Sequence, residues 1–457
     1  MGIIPKKEKS MGKYFGTDGF RGEAGVSLTA LDAFRVGRVL GSYMKKNKKG
    51  DRLKAVIGKD TRRSSYMLEY AIASGLASVG ADAHMLHVIT TPGVTYATVT
   101  EGFDLGVMIS ASHNPFYDNG IKVISGSGEK INDADIEELE RMMDGDSDIT
   151  DAKGADIGRI VDWYSGRNRY IGYLISLSLH SFKNYKVGLD CANGASFMIA
   201  KSVFEALGAR VTCVGDEPDG ININEGVGST HIENLSKIVK EKGLDIGFAF
   251  DGDADRCIAV DENGEVINGD HIIYVLGTAM KKRGELKNNT VVTTIMSNLG
   301  LYRALDAVGI NYEKTTVGDR YVYENMRENG HVLGAEQSGH VIMSKYATTG
   351  DGILTAIKIM EAVIEAKAPL SKLASPVKML PQVTINVRVK SKAGVTEREA
   401  VKKKYLEAEK ALLDKGRILL RESGTEPVIR VMVEADSEEI CRKYAESVAE
   451  AIRASEA

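Results

Sequence analysis

A short polar segment carries the residue types that nucleophilic catalysis needs. Ser112 follows an apolar, β-rich run, Leu105 to Ile109, and precedes His113 and, ten residues after the serine, Lys122. Ligands bind at the carboxyl ends of strands in open α/β sheets, so a serine there, with a histidine and a lysine nearby, is a candidate nucleophile. The pair Asn119-Gly120 is a typical turn signal, and we expect a turn there.

Three carboxylates stand at alternate positions after a second apolar run. Asp251, Asp253 and Asp255 follow Ile246 to Phe250, and alternate residues of an extended segment share a face. Like charges at this spacing repel unless a cation neutralises them, and ligation by oxygen alone suits Mg²⁺ or Mn²⁺. A calcium EF-hand loop is excluded, because its sixth position needs glycine and this chain has Arg256 there.

A third loop carries side chains that could contact a sugar. Glu336, Ser338 and His340 lie among glycines after a predicted short strand, His331 to Leu333. Glycine lets the backbone approach hydroxyl groups closely, and histidine can move protons near neutral pH. Taken alone, the same pattern fits a polar surface loop equally well.

A fourth loop combines hydroxyl, glycine and arginine residues. These are Arg421, Ser423, Gly424 and Thr425, followed by Arg430. Hydroxyl groups, a free backbone N–H and a guanidinium fork together can form a phosphate cradle. An ordinary hairpin connection would explain the glycine but not an arginine on either side, so we favour a phosphate site.

Two weaker signals place arginines near glycines. Arg21 lies in the glycine-rich segment Phe15 to Gly22, which fits either a β-turn or a backbone cradle whose arginine neutralises an anion. Asp319 and Arg320 follow a glycine and open a predicted helix. Both are candidate contacts for an anionic or hydroxylated ligand.

Motifs of several other enzyme classes are absent from the chain. It has no GxxxxGK(S/T) sequence, so a nucleotide bound by a P-loop is not the expected phosphate donor. Neither HExxH nor GxSxG occurs, which disfavours a zinc protease and an α/β-hydrolase. A serine, a divalent metal and a phosphate cradle without nucleotide-binding machinery predict phosphoryl transfer through a phosphoserine.

Apolar strand-like runs alternate with helical patterns over most of the chain. The rhythm occurs three times, between residues 54 and 109, 186 and 250, and 290 and 314. Alternation at these lengths predicts βαβ units with parallel-rich sheets. The last segment, with closely spaced strands and two helices, predicts a smaller α+β module. The predicted domains are 1–165, 166–263, 264–375 and 376–457.

Length, charge and cysteine spacing restrict the protein class. The 457 residues need more than one hydrophobic core. A net charge of −4 without a long basic block argues against a nucleic-acid-binding protein. The four cysteines show no CxxC pair, and no apolar run reaches membrane-spanning length, so we expect a cytoplasmic protein with no membrane partner. We expect the lysine-rich residues 1–10 to form a disordered extension.

The candidate loops together resemble those of the α-D-phosphohexomutase superfamily, over essentially the whole chain from Tyr14 onward. Their joint occurrence, in order, is far more specific than any one loop. The segments that carry the resemblance are Gly16 to Gly19, Ile109 to Lys122, Gly228 to His231, Asp251 to Arg256, Glu336 to His340 and Arg421 to Pro427. The resemblance implies three mixed α/β domains and a smaller C-terminal α+β domain around a central cleft.

Within the superfamily, the motifs are most similar to those of bacterial enzymes that interconvert glucosamine 6-phosphate and glucosamine 1-phosphate. This implies a cytoplasmic isomerase on the route to UDP-N-acetylglucosamine, a peptidoglycan precursor, with a 1,6-bisphosphate intermediate. Ser112 would carry the phosphoryl group and, with Asp251, Asp253 and Asp255, would hold one Mg²⁺. Glucosamine or glucose 1,6-bisphosphate would be the activator. The partners would be sugar phosphates, and the protein a monomer or homodimer.

The resemblance implies roles for the other candidates as well. Lys122 and His340 would form the acid/base pair, and Arg21 and His113 would lie beside the phosphoserine. The remaining candidates would bind the substrate: Arg256, Asp319, Arg320, Glu336, Ser338, Arg421, Ser423, Gly424, Thr425 and Arg430.

Two other functions remain open. A mutase of the same superfamily that prefers glucose or mannose phosphates would use the same machinery. A metal-dependent sugar phosphatase, or a relative that only binds sugar phosphates, belongs to another class. The chain departs from the superfamily pattern at Ala254 and Ala335, where glycine is common, and at Glu225 to Gly228. None of these departures removes a candidate catalytic group.

Overall fold

The computed structural model describes most of the chain. The described residues are 13–16, 19–47, 52–145, 149–392, 394–413, 415–422 and 427–456. They form two compact units, one of residues up to Met296 with Ile310–Ser375, and one of Ser297–Gly309 with Pro376–Ala457. In this part of the chain, no helix is both long and apolar enough to span a membrane. The predicted extension at residues 1–10 lies outside it.

Strands and helices alternate along the chain. The strands are β1 (Phe20–Glu23), β2 (Lys54–Lys59), β3 (Asp82–Val88), β4 (Leu105–Ile109), β5 (Asp118–Ser125), β6 (Ile160–Asp162), β7 (Lys186–Asp190), β8 (Arg210–Val214), β9 (Ile246–Phe250), β10 (Cys257–Val260), β11 (Val266–Ile267), β12 (Thr290–Thr294), β13 (Asn311–Thr315), β14 (Leu333–Ala335), β15 (Val341–Met343), β16 (Gln382–Arg388), β17 (Gly416–Glu422) and β18 (Val428–Ala435). The helices are α1 (Ala30–Asn47), α2 (Arg63–Ser78), α3 (Thr91–Thr100), α4 (Asp133–Met143), α5 (Ser165–Ser176), α6 (Ile199–Ala206), α7 (Glu233–Lys242), α8 (Gly269–Arg283), α9 (Leu299–Ala307), α10 (Asp319–Asn329), α11 (Gly352–Ala366), α12 (Leu370–Ala374), α13 (Glu399–Ala411) and α14 (Glu438–Ala454).

The first of three mixed sheets in the first unit carries Ser112. Its strand order is β1-β5-β4-β2-β3-β6, in which β4, β2, β3 and β6 run parallel. Strands β2 and β4 are buried almost throughout. Strands covered on both faces read as continuous apolar runs, which is why the sequence predicts them well. The parallel strands end at one edge of the sheet, and Ser112 follows β4 at that edge.

The prediction of a turn at Asn119-Gly120 is wrong. Both residues lie in β5, where Gly120 pairs with Arg21 of β1. The Asn119 amide donates to the hydroxyls of Ser64 (2.8 Å) and Ser65 (2.9 Å). Tertiary contacts therefore satisfy this side chain, and the backbone stays extended. The pairing matters for the site because β5 also carries Lys122.

The second and third sheets repeat the plan of the first. Their strand orders are β11-β10-β9-β7-β8 and β13-β12-β14-β15. In each of the three sheets, a strand with a parallel neighbour is followed by an antiparallel return strand: β4 by β5, β9 by β10, and β14 by β15. The loops between these pairs hold Ser112, the three aspartates and Glu336. The three candidate loops thus occupy the same topological position.

The second unit is an α+β module. Its antiparallel sheet has the order β16-β18-β17, and α14 packs on β16 and β18. Helix α9 belongs to this unit, where the Leu299 N–H donates to the buried carboxylate of Glu434 at 3.1 Å. The connection between β17 and β18 contains residues 423–426, which lie outside the described residues.

Candidate active site

Ser112 has an unusual backbone conformation. Its φ is 53°, in the left-handed region that residues other than glycine seldom adopt, and only 2% of the residue is exposed. Its N–H donates to the hydroxyl of Ser110 at 2.9 Å, and its own hydroxyl donates to Asp251 Oδ2 at 2.5 Å. Conformations of this kind persist where surrounding contacts hold them, and they cluster at functional sites. Ser112 therefore reaches the carboxylate loop of the second sheet.

His113 contacts both the serine and an arginine. Its Nδ1 lies 3.3 Å from Ser112 Oγ and accepts an N–H from Arg256 Nη1 at 3.0 Å. Burial lowers the pKa of His113 to about 4, and the nearby charges of Arg256 and Arg21 add to the effect. The imidazole is thus neutral near pH 7, and its Nδ1 lone pair is engaged by Arg256. In this arrangement the Ser112 hydroxyl donates its hydrogen bond to Asp251, not to His113.

Asp251, Asp253 and Asp255 form a buried cluster that could bind a metal. Ligand oxygens of the three residues lie within 4.8 Å of one another. Among the described atoms, Asp253 Oδ1 and Asp255 Oδ1 are buried without a hydrogen-bond partner. Burial raises the pKa of Asp251 well above its usual range, and the charges of Asp255 and Asp253 raise it further. Buried, mutually repelling carboxylate oxygens with open coordination positions fit a hard divalent cation.

Lys122 binds the same carboxylates from the first sheet. Its Nζ donates to Asp253 Oδ2 at 2.7 Å and to Asp255 Oδ2 at 3.4 Å. The hydroxyl of Thr91, at the start of α3, donates to Asp253 Oδ2 at 2.5 Å, and its N–H donates to the Asp253 carbonyl at 3.0 Å. Burial alone would raise the pKa of Asp255, but Lys122, His340 and Arg256 lower it well below its usual range. Asp255 is therefore held in its charged form.

Ala254 occupies a position in the metal loop where glycine is common, and it adopts the backbone conformation that glycine would adopt. It adopts a φ of 57°, the left-handed conformation that glycine reaches without steric cost. The residue is fully buried, and its N–H donates to the Asp251 carbonyl at 3.1 Å. The alanine therefore keeps the tight loop geometry at a cost of about 1 kcal/mol in backbone strain.

His340 joins the loops of the second and third sheets. It forms an isolated antiparallel bridge with Arg256, and its Nδ1 lies 3.8 Å from Asp255 Oδ2. Burial would lower the pKa of His340, but Asp255, Asp319 and other nearby carboxylate charge raise it to about 8. The Gly350 N–H, however, donates to Nε2 at 2.9 Å and favours the neutral ring. The neutral ring therefore carries its proton on Nδ1, facing Asp255, and the carboxylate of Asp319 lies 3.5 Å from Nε2.

The predicted sugar loop lies after β14, which starts at Leu333, two residues later than predicted. Glu336 Oε1 accepts the Gly318 N–H at 3.0 Å, and burial raises the pKa of Glu336. Ser338 is exposed. Glu336 thus ties this loop to the start of α10.

Asp319 and Arg320 begin α10, but both are engaged in ion pairs. Asp319 accepts from Lys130 Nζ at 2.9 Å, and Arg320 donates to Asp133 at 2.5 Å and to Glu324 at 2.9 Å. A cavity of about 410 Å³ lies beside them, and its lining also includes Lys122. Its size is within the range of small-molecule sites.

Arg21 and the arginines of the second unit are the remaining candidates in the described residues. Arg21 lies in β1, and its charge helps to lower the pKa of His113, which places it beside the Ser112 loop. In the second unit, Arg421 pairs directly with Arg430, and Arg430 Nε is buried without a hydrogen-bond partner among the described atoms. Like charges directly opposite each other favour an anionic ligand. The predicted ligands Ser423, Gly424 and Thr425 lie outside the described residues.

Sequence reasoning missed two residues that contact the Ser112 loop. Arg62 and Asn224 both donate to the carbonyls of Ser112 and Asn114. A signal existed for Arg62, because Asp60-Thr61-Arg62 directly follows β2, which ends at the same sheet edge as β4. No local pattern marked Asn224, because its partners are distant in sequence.

Comparisons with known proteins agree with these motifs. Models of the phosphoglucomutase/phosphomannomutase α/β/α domains I, II and III match residues 12–149, 168–264 and 268–379, and the model of the C-terminal domain matches residues 385–451. Phosphoglucosamine mutase of Lachnospira eligens is 58% identical, over 97% of this chain and 99% of its own length. Phosphoglucosamine mutase of Bacillus subtilis is 49% identical, over 97% and 99% respectively.

Two solved structures share the fold. A phosphoglucomutase/phosphomannomutase family protein of Burkholderia thailandensis is 23% identical, covers 96% of this chain and 97% of its own, and has a TM-score of 0.80. N-acetylphosphoglucosamine mutase of Aspergillus fumigatus, solved with GlcNAc-6P and magnesium, is 15% identical, with coverages of 98% and 96% and a TM-score of 0.65. Both have the mixed α/β architecture described above. The chain therefore belongs to the phosphoglucomutase/phosphomannomutase family of the α-D-phosphohexomutase superfamily, a family of isomerases.

Proposed function

We propose that this chain is a phosphoglucosamine mutase, which interconverts glucosamine 6-phosphate and glucosamine 1-phosphate. The observation that carries the chemistry is the contact between Ser112 and the buried carboxylates, with Ser112 Oγ 2.5 Å from Asp251 Oδ2. The choice of amino sugar is supported by identities of up to 58%, over nearly the full length, to relatives named phosphoglucosamine mutase.

The proposed reaction starts from the phosphorylated form of Ser112. Its phosphoryl group passes to O1 of glucosamine 6-phosphate, giving the 1,6-bisphosphate and the free serine. The bisphosphate then turns over, and its 6-phosphoryl group passes to Ser112 Oγ, which releases glucosamine 1-phosphate. Such transfers depend on positioning and charge neutralisation. A sugar 1,6-bisphosphate would activate any enzyme molecule that has lost its phosphoryl group.

The charges around Ser112 fit this sequence of steps. A phosphoserine adds up to about two negative charges, close to the three aspartates. Asp251, Asp253 and Asp255 would hold one Mg²⁺, which when bound would neutralise charge on the transferred group. Arg21 and Arg256, whose charges lie beside His113, would balance the remaining negative charge of the phosphoserine and the aspartates.

Lys122 and His340 are the proposed proton carriers. Both contact Asp255, Lys122 through Nζ at 3.4 Å and His340 through Nδ1 at 3.8 Å. One would accept the proton of the attacking sugar hydroxyl while the other supports the opposite half-reaction, as a reversible mutase requires. Their shared carboxylate couples the charge of one to that of the other.

Two sets of residues would bind the substrate. Glu336 and Ser338 would bind sugar hydroxyls, and Asp319 and Arg320 would contact the substrate from the cavity that they line. The phosphate that is not reacting would be bound in the second unit by Arg421 and Arg430 together with residues 423–425.

We infer a cytosolic setting as well, because all four cysteines are free thiols.

The test is the relative kcat/KM for glucosamine 1-phosphate, glucose 1-phosphate and mannose 1-phosphate, measured with Mg²⁺ and a bisphosphate activator. We expect the amino sugar to be preferred tenfold or more, about 1.4 kcal/mol of transition-state discrimination. Equal or better turnover of glucose or mannose phosphate would keep the family and overturn the substrate. That outcome would identify a phosphoglucomutase or phosphomannomutase.

A further inference from the structure

The peptide carbonyls around Ser112 are held by two side chains from outside the loop. Arg62 Nη2 donates to the carbonyls of Ser112 at 3.1 Å and Asn114 at 2.6 Å. Asn224 Nδ2 donates to the same two carbonyls at 2.9 Å and 3.0 Å. Each carbonyl therefore accepts two hydrogen bonds, one from the first sheet's domain and one from the second's.

Arg62 is fixed in place on its own side. It is fully buried and forms an ion pair with Asp60, whose Oδ1 also accepts the Arg62 N–H at 2.9 Å and the Ser65 hydroxyl at 2.8 Å. A buried arginine whose charge is balanced by a hydrogen-bonded carboxylate has little rotational freedom. Its guanidinium therefore presents a rigid donor to the loop.

Hydrogen bonds between neighbouring segments hold Asn224 in place. Its φ is 59°, it is 6% exposed, and its N–H donates to the Ala192 carbonyl at 2.9 Å. Two further contacts hold the neighbouring segments together. The N–H of Arg63, the first residue of α2, donates to the Gly220 carbonyl at 2.9 Å, and the hydroxyl of Thr61, which precedes α2, donates to the Asn193 carbonyl at 2.5 Å.

The Ser112 carbonyl also packs against the loop that carries the three aspartates. A Cβ atom added at Gly252 would lie 2.5 Å from the Ser112 carbonyl oxygen and 3.2 Å from Asn224 Nδ2. The Ser112 peptide is thus enclosed by Arg62, Asn224 and Gly252. Because φ of Ser112 is unfavourable for a residue with a side chain, these contacts determine where its Oγ points.

We propose that Asn224, together with Arg62, is a positioning residue for phosphoryl transfer to and from Ser112. The proposal rests on the proposed mutase function. Each half-reaction adds or removes up to about two negative charges on Ser112, next to three carboxylates, so the force on this loop changes twice in every cycle. Four hydrogen bonds to the two carbonyls keep the peptide, and with it Oγ, aligned through these changes.

The test replaces Asn224 by glycine, which removes both donors and tolerates the positive φ. We expect kcat of Asn224→Gly to fall about 10- to 100-fold, because a displacement of about 1 Å at a reacting group costs that much. KM for the sugar phosphate should stay within about twofold, since Asn224 does not touch the substrate in the proposed mechanism. The ³¹P resonance of the phosphoserine should also shift or broaden.

The matched control is Asn222→Gly in the same loop. Asn222 donates its amide to the Glu217 carbonyl at 3.0 Å and not to the Ser112 loop, so kcat should be unchanged. An Asn224→Asp variant keeps the size of the side chain but replaces the donors by acceptors. It should lose at least as much kcat as the glycine variant, and it serves if the glycine variant does not fold.

Three outcomes would refute the positioning role, and a fourth would refute the proposed function. An unchanged kcat in a folded Asn224 variant would refute the positioning role, and so would an equal loss in Asn222→Gly or a loss confined to KM. A parent protein that turns over none of the three sugar phosphates would instead refute the proposed function, before any variant is compared.

Discussion

Ser112→Ala is expected to abolish mutase turnover, with a fall in kcat of about 10⁴-fold or more, as in other enzymes that lose their nucleophile. The reason is that Ser112 Oγ, the proposed phosphoryl carrier, lies in the loop after β4 and donates to Asp251 Oδ2 at 2.5 Å. The measurement is kcat for glucosamine 1-phosphate in the presence of a bisphosphate activator, with circular dichroism to verify the fold.

The control for this substitution is Ser202→Ala. Ser202 is exposed on α6 and donates only to the Met198 carbonyl in the described structure, so its loss should leave kcat unchanged. Retention of more than a few per cent of kcat in Ser112→Ala would contradict a phosphoserine route. Loss of activity in both variants would point to a folding defect.

The second large effect is expected from Asp253→Asn. Asp253 accepts hydrogen bonds from Thr91 and Lys122 and keeps Oδ1 free for a ligand among the described atoms. The substitution removes one charge from the proposed metal site. We expect kcat to fall about 10³-fold, because metal-assisted charge neutralisation contributes several kcal/mol to such reactions. Titration calorimetry with Mg²⁺ should show weakened binding independently of activity.

Asp261→Asn is the matched control for Asp253. Asp261 is also buried, but its Oδ1 accepts only the backbone N–H groups of Asn263 and Glu265 in a turn. Its replacement should change stability slightly and leave Mg²⁺ affinity and kcat intact. Unchanged Mg²⁺ affinity in Asp253→Asn would remove that residue from the metal site.

The buried strands were the most predictable part of the fold. The predicted bounds Leu105–Ile109 and Ile246–Phe250 are those of β4 and β9, in which every residue is buried. Continuous apolar runs that end at polar residues leave little ambiguity about where a buried strand stops. The Ser112 loop and the aspartate loop could be located for the same reason, since they follow β4 and β9.

Prediction failed where tertiary contacts decide the structure. Asn119-Gly120 has the composition of a turn, but Ser64 and Ser65 bind the Asn119 amide and the pair stays extended in β5. The contacts of Asn224 are likewise invisible locally, because its partners, the carbonyls of Ser112 and Asn114, belong to another sheet's loop. The composition of a segment predicts its local conformation, whereas the contacts of these residues depend on segments that are distant in sequence.

The most direct test of the proposed function follows the phosphoryl group itself. Enzyme carrying a radiolabelled phosphoryl group on Ser112 is mixed with glucosamine 6-phosphate and Mg²⁺ under single-turnover conditions, and the products are separated. We predict that the label leaves Ser112 and appears in sugar phosphate, first as the 1,6-bisphosphate, with almost no inorganic phosphate. Release of the label as inorganic phosphate, or its retention on Ser112 while the sugar is converted, would contradict the mechanism.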